Sequence, residues 1–150
     1  VFLSLGNDGT AANAEQARRR VSAWLAGRGL DFPELFIDNG SGLSRRERIS
    51  AGQLNQLLLD AWRSPLMPEF IASLPLAGVD GTMKKRLNGS PVAGRAHIKT
   101  GTLDGVRSAA GYALDAAGRR YTLTFLINDP QAQEGGAAID ALLDWIAARP

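Results

Sequence analysis

Apolar residues recur at helical spacing at Ala14, Ala17, Val21, Trp24 and Leu25, predicting a helix led in by an Asn7-Asp8-Gly9-Thr10 turn and ended by Gly27 and Gly29. Leu35-Phe36-Ile37 is a short apolar run between Pro33 and Asp38-Asn39-Gly40, the pattern of a buried strand or extended segment entering a glycine-rich turn. Ser50 with Gln53 forms a capping box, and Leu54, Leu57, Leu58, Ala61 and Trp62 supply one apolar helical face behind it. Ser64-Pro65 stops that helix, and a shorter helical piece is expected from Glu69 to Leu74. Pro75 to Gly94 is rich in Gly and Pro, predicting an irregular loop with one helical turn around the basic patch Lys84-Lys85-Arg86.

From Ala96 the period changes. Ala96 and Ile98, then Val106, Ala110 and Tyr112, then Tyr121 to Ile127 carry β-favouring residues in extended patterns, so three strands are expected. Asp115-Ala116-Ala117-Gly118 is short enough, and ends in the right residue, to close an antiparallel hairpin between the last two. Ala137 to Ala148 places Ile139, Leu142, Leu143 and Ile146 on one helical face with Trp145 beside it, so a helix returns to cover the sheet. The fold class is α+β: an antiparallel sheet of about three strands covered by helices, including a C-terminal one. The pattern contains no internal repeat.

Composition narrows the partners. At 45% hydrophobic and 21% charged, residues 1–150 can build the core of one ordinary globular domain. No window approaches the ~18 apolar residues of a membrane span. The net charge of +2 is spread along the chain and interleaved with Asp and Glu, which argues against nucleic acid as a partner. Arg18, Arg19 and Arg20, beside Glu15, read as a solvated helix face. The lack of cysteine excludes disulfides, a thiol nucleophile and most structural zinc sites, and leaves the compartment open. Asp38, Asp80 and Asp104 sit in Gly-rich turns without calcium or zinc spacing, so neither metal nor other cofactor is expected. Val1 opens in the middle of an apolar phrase, which reads as a cut point in a longer protein.

The phrase with the most chemistry is His97-Ile98-Lys99-Thr100-Gly101-Thr102, at the end of a predicted strand. Lys99 offers three donors to an anion, Thr100 and Thr102 offer hydroxyls, and Gly101 lets a ligand approach the backbone. On spacing alone, the plainer alternative has better odds: Lys99 guards an edge strand and the rest is turn chemistry. Ser41, in Gly40-Ser41-Gly42, does not fit a G-x-S-x-G elbow and is read as part of a turn. His97, the only histidine, alternates onto the same strand face as Lys99 and is read as structural or cleft-lining.

K-T-G is also the third element of the set S-x-x-K, S-D-N and K-T-G in β-lactamases and penicillin-binding proteins. Around it stand Asp38-Asn39-Gly40-Ser41-Gly42-Leu43-Ser44-Arg45, Ser73-Leu74-Pro75-Leu76-Ala77-Gly78-Val79-Asp80-Gly81-Thr82, Lys99-Thr100-Gly101-Thr102-Leu103-Asp104-Gly105-Val106 and Ala110-Gly111-Tyr112. In this order and spacing the chain, from its first residues to Asn128, resembles the D-alanyl-D-alanine carboxypeptidases and endopeptidases of the penicillin-binding protein 4 type, peptidase family S13. The opening Val1-Phe2-Leu3-Ser4-Leu5-Gly6 is similar to the helix after that family's S-x-N element.

The resemblance implies a transpeptidase-like fold of which this chain is the C-terminal portion, with the K-T-G strand bordering the cleft. It implies Lys99 as electrostatic and proton-network partner, Thr100 and Thr102 as carboxylate contacts, the Thr102 N–H as an oxyanion-hole donor and Gly101 as clearance. No serine here is followed at the third position by lysine, and S-x-N is absent, so the nucleophile and its base cannot be assigned. The chain alone is therefore expected to be inactive. The implied partners are peptidoglycan stem peptides and β-lactams, together with the missing N-terminal part of the same protein. A periplasmic or envelope location follows from the family only. Two alternatives stand: a β-lactamase or esterase on the same fold, and a noncatalytic cell-wall peptide binding or assembly module. An unpaired sheet edge also predicts self-association.

Overall fold

A computed structural model describes residues 1–7, 9 and 13–150, arranged as two compact units, residues 1–56 and 57–150. Asp8 and Thr10 of the expected leading turn lie outside the described residues.

In the first unit, α1 (Ala14–Gly27) starts at Asn13, whose side chain accepts from the Gln16 N–H, satisfying one of the donors that a helix start leaves open. It ends in paired bonds, Gly29 N–H to Ala26 O and Leu30 N–H to Leu25 O, the Schellman closure that glycine at this position favours. Ala17 and Leu25 are buried, whereas Trp24, expected on the apolar face, is 51% exposed. Arg18 departs from the expected solvated run. Its guanidinium donates to the carbonyls of Ile37 and Asp38 and lies 5.3 Å over the Phe36 ring, so it anchors the following segment. That segment is extended but only half-buried: Phe36 makes a single bridge with Arg48, both hydrogen bonds 2.9 Å.

Helix α2 (Ala51–Arg63) begins with the predicted capping box, Ser50 Oγ accepting from the Gln53 N–H and Gln53 Oε1 from the Ser50 N–H. A short α3 (Met67–Ala72) follows, starting earlier than its apolar spacing predicts because Pro68, lacking an N–H, fits the first helical turn.

In the second unit, β1 (Ala96–Leu103), β2 (Val106–Leu114) and β3 (Arg120–Asn128) form an antiparallel sheet in the order β1-β2-β3. Period-two alternation gives it two faces. One carries Ala96, Ile98, Ala109, Ala113 and Leu123, which pack with Ile139, Leu143 and Ile146 of α4 (Gly136–Ala147). On the other, Tyr112 is buried against Trp62 and Phe70, ring centroids 5.5 and 6.4 Å away, and its hydroxyl donates to Leu58 O at 2.6 Å. Burial pushes the Tyr112 phenol above its ordinary pKa. At the centre of β2, Gly111 has φ +153°, and a Cβ there would lie 2.0 Å from His97 O, so only glycine keeps β1 at this distance.

The loop from Pro75 to Gly94 contains the expected single turn at Gly81–Met83 and buries Met83 and Val92 in the sheet core. Its basic patch is only partly a patch: Arg86 bonds Asp140 at 2.7 Å and Gly136 O at 2.9 Å, tying loop to α4. The β2–β3 hairpin turns on Asp115, whose fully buried carboxylate accepts from the Arg119 backbone and side chain and from the Tyr121 hydroxyl. Burial pushes its pKa up, but these bonds outweigh burial and hold the carboxyl below its ordinary range.

Candidate active-site strand

β1 is an edge strand, and its two edges differ. Arg95 O accepts from Leu114 N–H, so alternation turns the amides of His97, Lys99, Gly101 and Leu103 toward β2. The even residues face outward. There Ala96 O accepts from Ala77 N–H and Ile98 N–H donates to Pro75 O, both at 2.8 Å, beside a bridge between Leu76 and His97. This lining stops at Ile98. The Thr100 and Thr102 amides therefore point along the same outer edge beyond the last residue that pairs there.

Side chains alternate across the same strand. Lys99 and Gly101 share one sheet face with His97, while Thr100 and Thr102 share the other with Ile98. Lys99 is exposed, and its ammonium donates to Thr100 O, an outer-edge carbonyl. Thr100 is 8% exposed, and its hydroxyl meets the Thr82 hydroxyl at 2.7 Å. Thr102 is exposed at the strand end, its hydroxyl 3.2 Å from Arg107 Nη1. Gly101 provides clearance toward its own sheet: a Cβ there would lie 2.5 Å from Ser108 Oγ. The four residues thus place a cation, one exposed hydroxyl and two outward amides along one edge, with the Thr100 hydroxyl buried against Thr82.

Thr82 and Arg107 escaped the sequence reading. Thr82 sits in the irregular loop, where no period places it, but Arg107 was findable, because a hairpin closing at Asp104-Gly105 pairs it with Thr102. His97 lies on the Lys99 face as expected, with Nδ1 buried and unpartnered. Ser41 belongs to a turn: its amide donates to Asn39 Oδ1 and its Oγ accepts from Leu43 N–H. Asp38 accepts from Ser44 and pairs with Arg46, and Asp80 accepts from Leu76 N–H. Among the described residues no cluster of His, Asp and Glu could hold a metal ion, and no helix is long and apolar enough to cross a membrane.

Known proteins resemble this chain in sequence and fold. The chain is 36% identical over 135 residues to a D-alanyl-D-alanine carboxypeptidase of Actinomadura sp., covering 86% of the chain and 24% of that protein. It is 30% identical over 110 residues to the D-alanyl-D-alanine carboxypeptidase DacB of Haemophilus influenzae, covering 72% and 23%. The chain thus spans about a quarter of the length of these curated relatives. The crystal structure of penicillin binding protein 4 from H. influenzae superposes with a TM-score of 0.77 at 25% identity, over 89% of this chain and 33% of that one. A second structure of that protein, complexed with a β-lactam, gives 0.79 at 24% identity over 94% and 36%. The fold is transpeptidase-like, with this sheet as part of it. The family model described as the D-Ala-D-Ala carboxypeptidase 3 (S13) family matches residues 1–149, so the edge strand, its lysine and its threonines sit in a chain that belongs to that family.

Proposed function

We propose that this chain supplies the K-T-G wall of the active site of a serine-type, penicillin-binding D-Ala-D-Ala carboxypeptidase and endopeptidase acting on peptidoglycan stem peptides in the periplasm or cell envelope. The observation that carries the reading is the outer edge of β1, where lining by Pro75–Ala77 stops and the Thr100 and Thr102 amides, with Lys99 beside them, begin.

An extended peptide laid along that edge continues the sheet by main-chain hydrogen bonds. Its terminal carboxylate takes the Thr100 and Thr102 hydroxyls and competes with Thr100 O for the Lys99 ammonium. The Thr102 N–H stabilises the oxyanion that develops on the scissile carbonyl; removing such a donor costs about 10²- to 10³-fold in kcat. The attacking serine and its lysine come from S-x-x-K, and proton transfer also uses S-x-N. Neither motif occurs in these 150 residues. The acyl-enzyme therefore forms only in the full-length protein, and the chain alone is inactive.

Intact mass after incubation with a labelled penicillin, on this chain and on the full-length protein in parallel, tests this. A covalent adduct on the full-length protein alone is expected. No adduct on either would favour a noncatalytic peptide-binding module, a reading that absence of S-x-x-K from the full-length protein would support. Rapid β-lactam turnover by the full-length protein would favour a β-lactamase.

A further inference from the structure

Arg107 stands on β2 directly across from Thr102, and its Nη1 lies 3.2 Å from Thr102 Oγ1. A guanidinium has five N–H donors and no acceptor, so the direction of this bond is fixed. Thr102 Oγ1 accepts, and the hydroxyl hydrogen is left to donate elsewhere. Thr100 provides the contrast: it meets another hydroxyl, Thr82, and either partner can donate, so that pair has no fixed direction. Arg107 also keeps its Nε buried without an acceptor among the described residues, a state uncommon for a charged donor in a folded protein. Space for the guanidinium comes from Gly136 at the start of α4, where a Cβ would stand 3.2 Å from Arg107 Nη2.

We propose that Arg107 is a positioning residue that sets specificity for peptides ending in a free α-carboxylate. It holds the Thr102 hydroxyl as a donor aimed away from β2. An amidated or internal peptide brings no anion to a hydroxyl poled in this way. The inference rests on the reading that the outer edge of β1 takes substrate.

The test uses the full-length protein and two acyl donors that differ only in a terminal carboxylate or carboxamide, comparing kcat/KM for each. Arg107→Met removes every donor at similar length. The ratio of acid to amide is expected to fall about 10- to 100-fold, the usual effect of losing a charge-assisted hydrogen bond. Arg107→Lys, which keeps the charge, should restore part of it. Should the Met variant not fold, Arg107→Gln, neutral with one amide donor group, gives the same reading. Equal losses on both substrates would show that Arg107 only supports the fold, and an unchanged ratio would likewise overturn the proposal. Wild-type protein that releases neither D-alanine from the acid nor D-alaninamide from the amide would instead overturn the active-site reading and this inference with it.

Discussion

Asp115 and Tyr112 each place a polar atom in the interior and give it partners from nearby backbone. For Asp115 the sign of the pH dependence follows from its lowered pKa. A carboxyl whose folded value lies below its unfolded value stabilises the fold above the unfolded value, about 3.9, and loses that contribution as pH falls through the folded value. Urea midpoints of wild type and Asp115→Asn should therefore separate at pH 7, with the variant weaker, and converge as pH falls below about 4. Equal midpoints at pH 7 would mean that the buried carboxylate adds nothing. Tyr112→Phe removes the 2.6 Å bond to Leu58 O, a carbonyl inside α2, and should destabilise by about 0.5–1.5 kcal/mol, read from the same denaturation curves. Lys99 was legible in the sequence because its motif is local. The Asp115 carboxylate was not, since a turn Asp ordinarily faces water and only the return of Arg119 and Tyr121 across the hairpin encloses it.

Elements whose boundaries are set by short-range chemistry were the readable ones. The capping box at Ser50 and Gln53 forms as its spacing predicts, and Ser50→Ala should lose about 0.5–2 kcal/mol, measured as a lower thermal midpoint. The strands announce themselves by period two and the last helix by its apolar face. The Phe36 segment was less readable, because a three-residue apolar run does not distinguish a buried strand from a half-buried bridge held by Arg18. Gly111 tests the sheet as an element. Gly111→Ala forces a Cβ into His97 O and should destabilise by about 3 kcal/mol, with loss of β1–β2 pairing in amide chemical shifts. A native-like variant would refute the close approach.

At the scale of the molecule, both sheet margins remain open among the described residues: β1 beyond Ile98 and the outer side of β3. We expect the isolated chain to pair through such an edge, since unpaired strand amides template association. Light scattering should show dimers or larger species, and a monodisperse monomer at high concentration would refute this. The sequence could place Lys99, Thr100, Gly101 and Thr102 on one strand, but not say which amides face outward. That depends on where Pro75–Ala77 runs, and no local pattern in a Gly- and Pro-rich loop encodes its path.

The alternating edge has a counterpart in time. Amides of Lys99 and Gly101, locked to β2, should exchange with deuterium slowly, whereas those of Thr100 and Thr102, facing outward one residue away, should exchange fast. Along these four residues the strand becomes a fast–slow comb. A peptide seated on the edge would slow only the fast teeth, so occupancy can be read in the isolated chain without turnover.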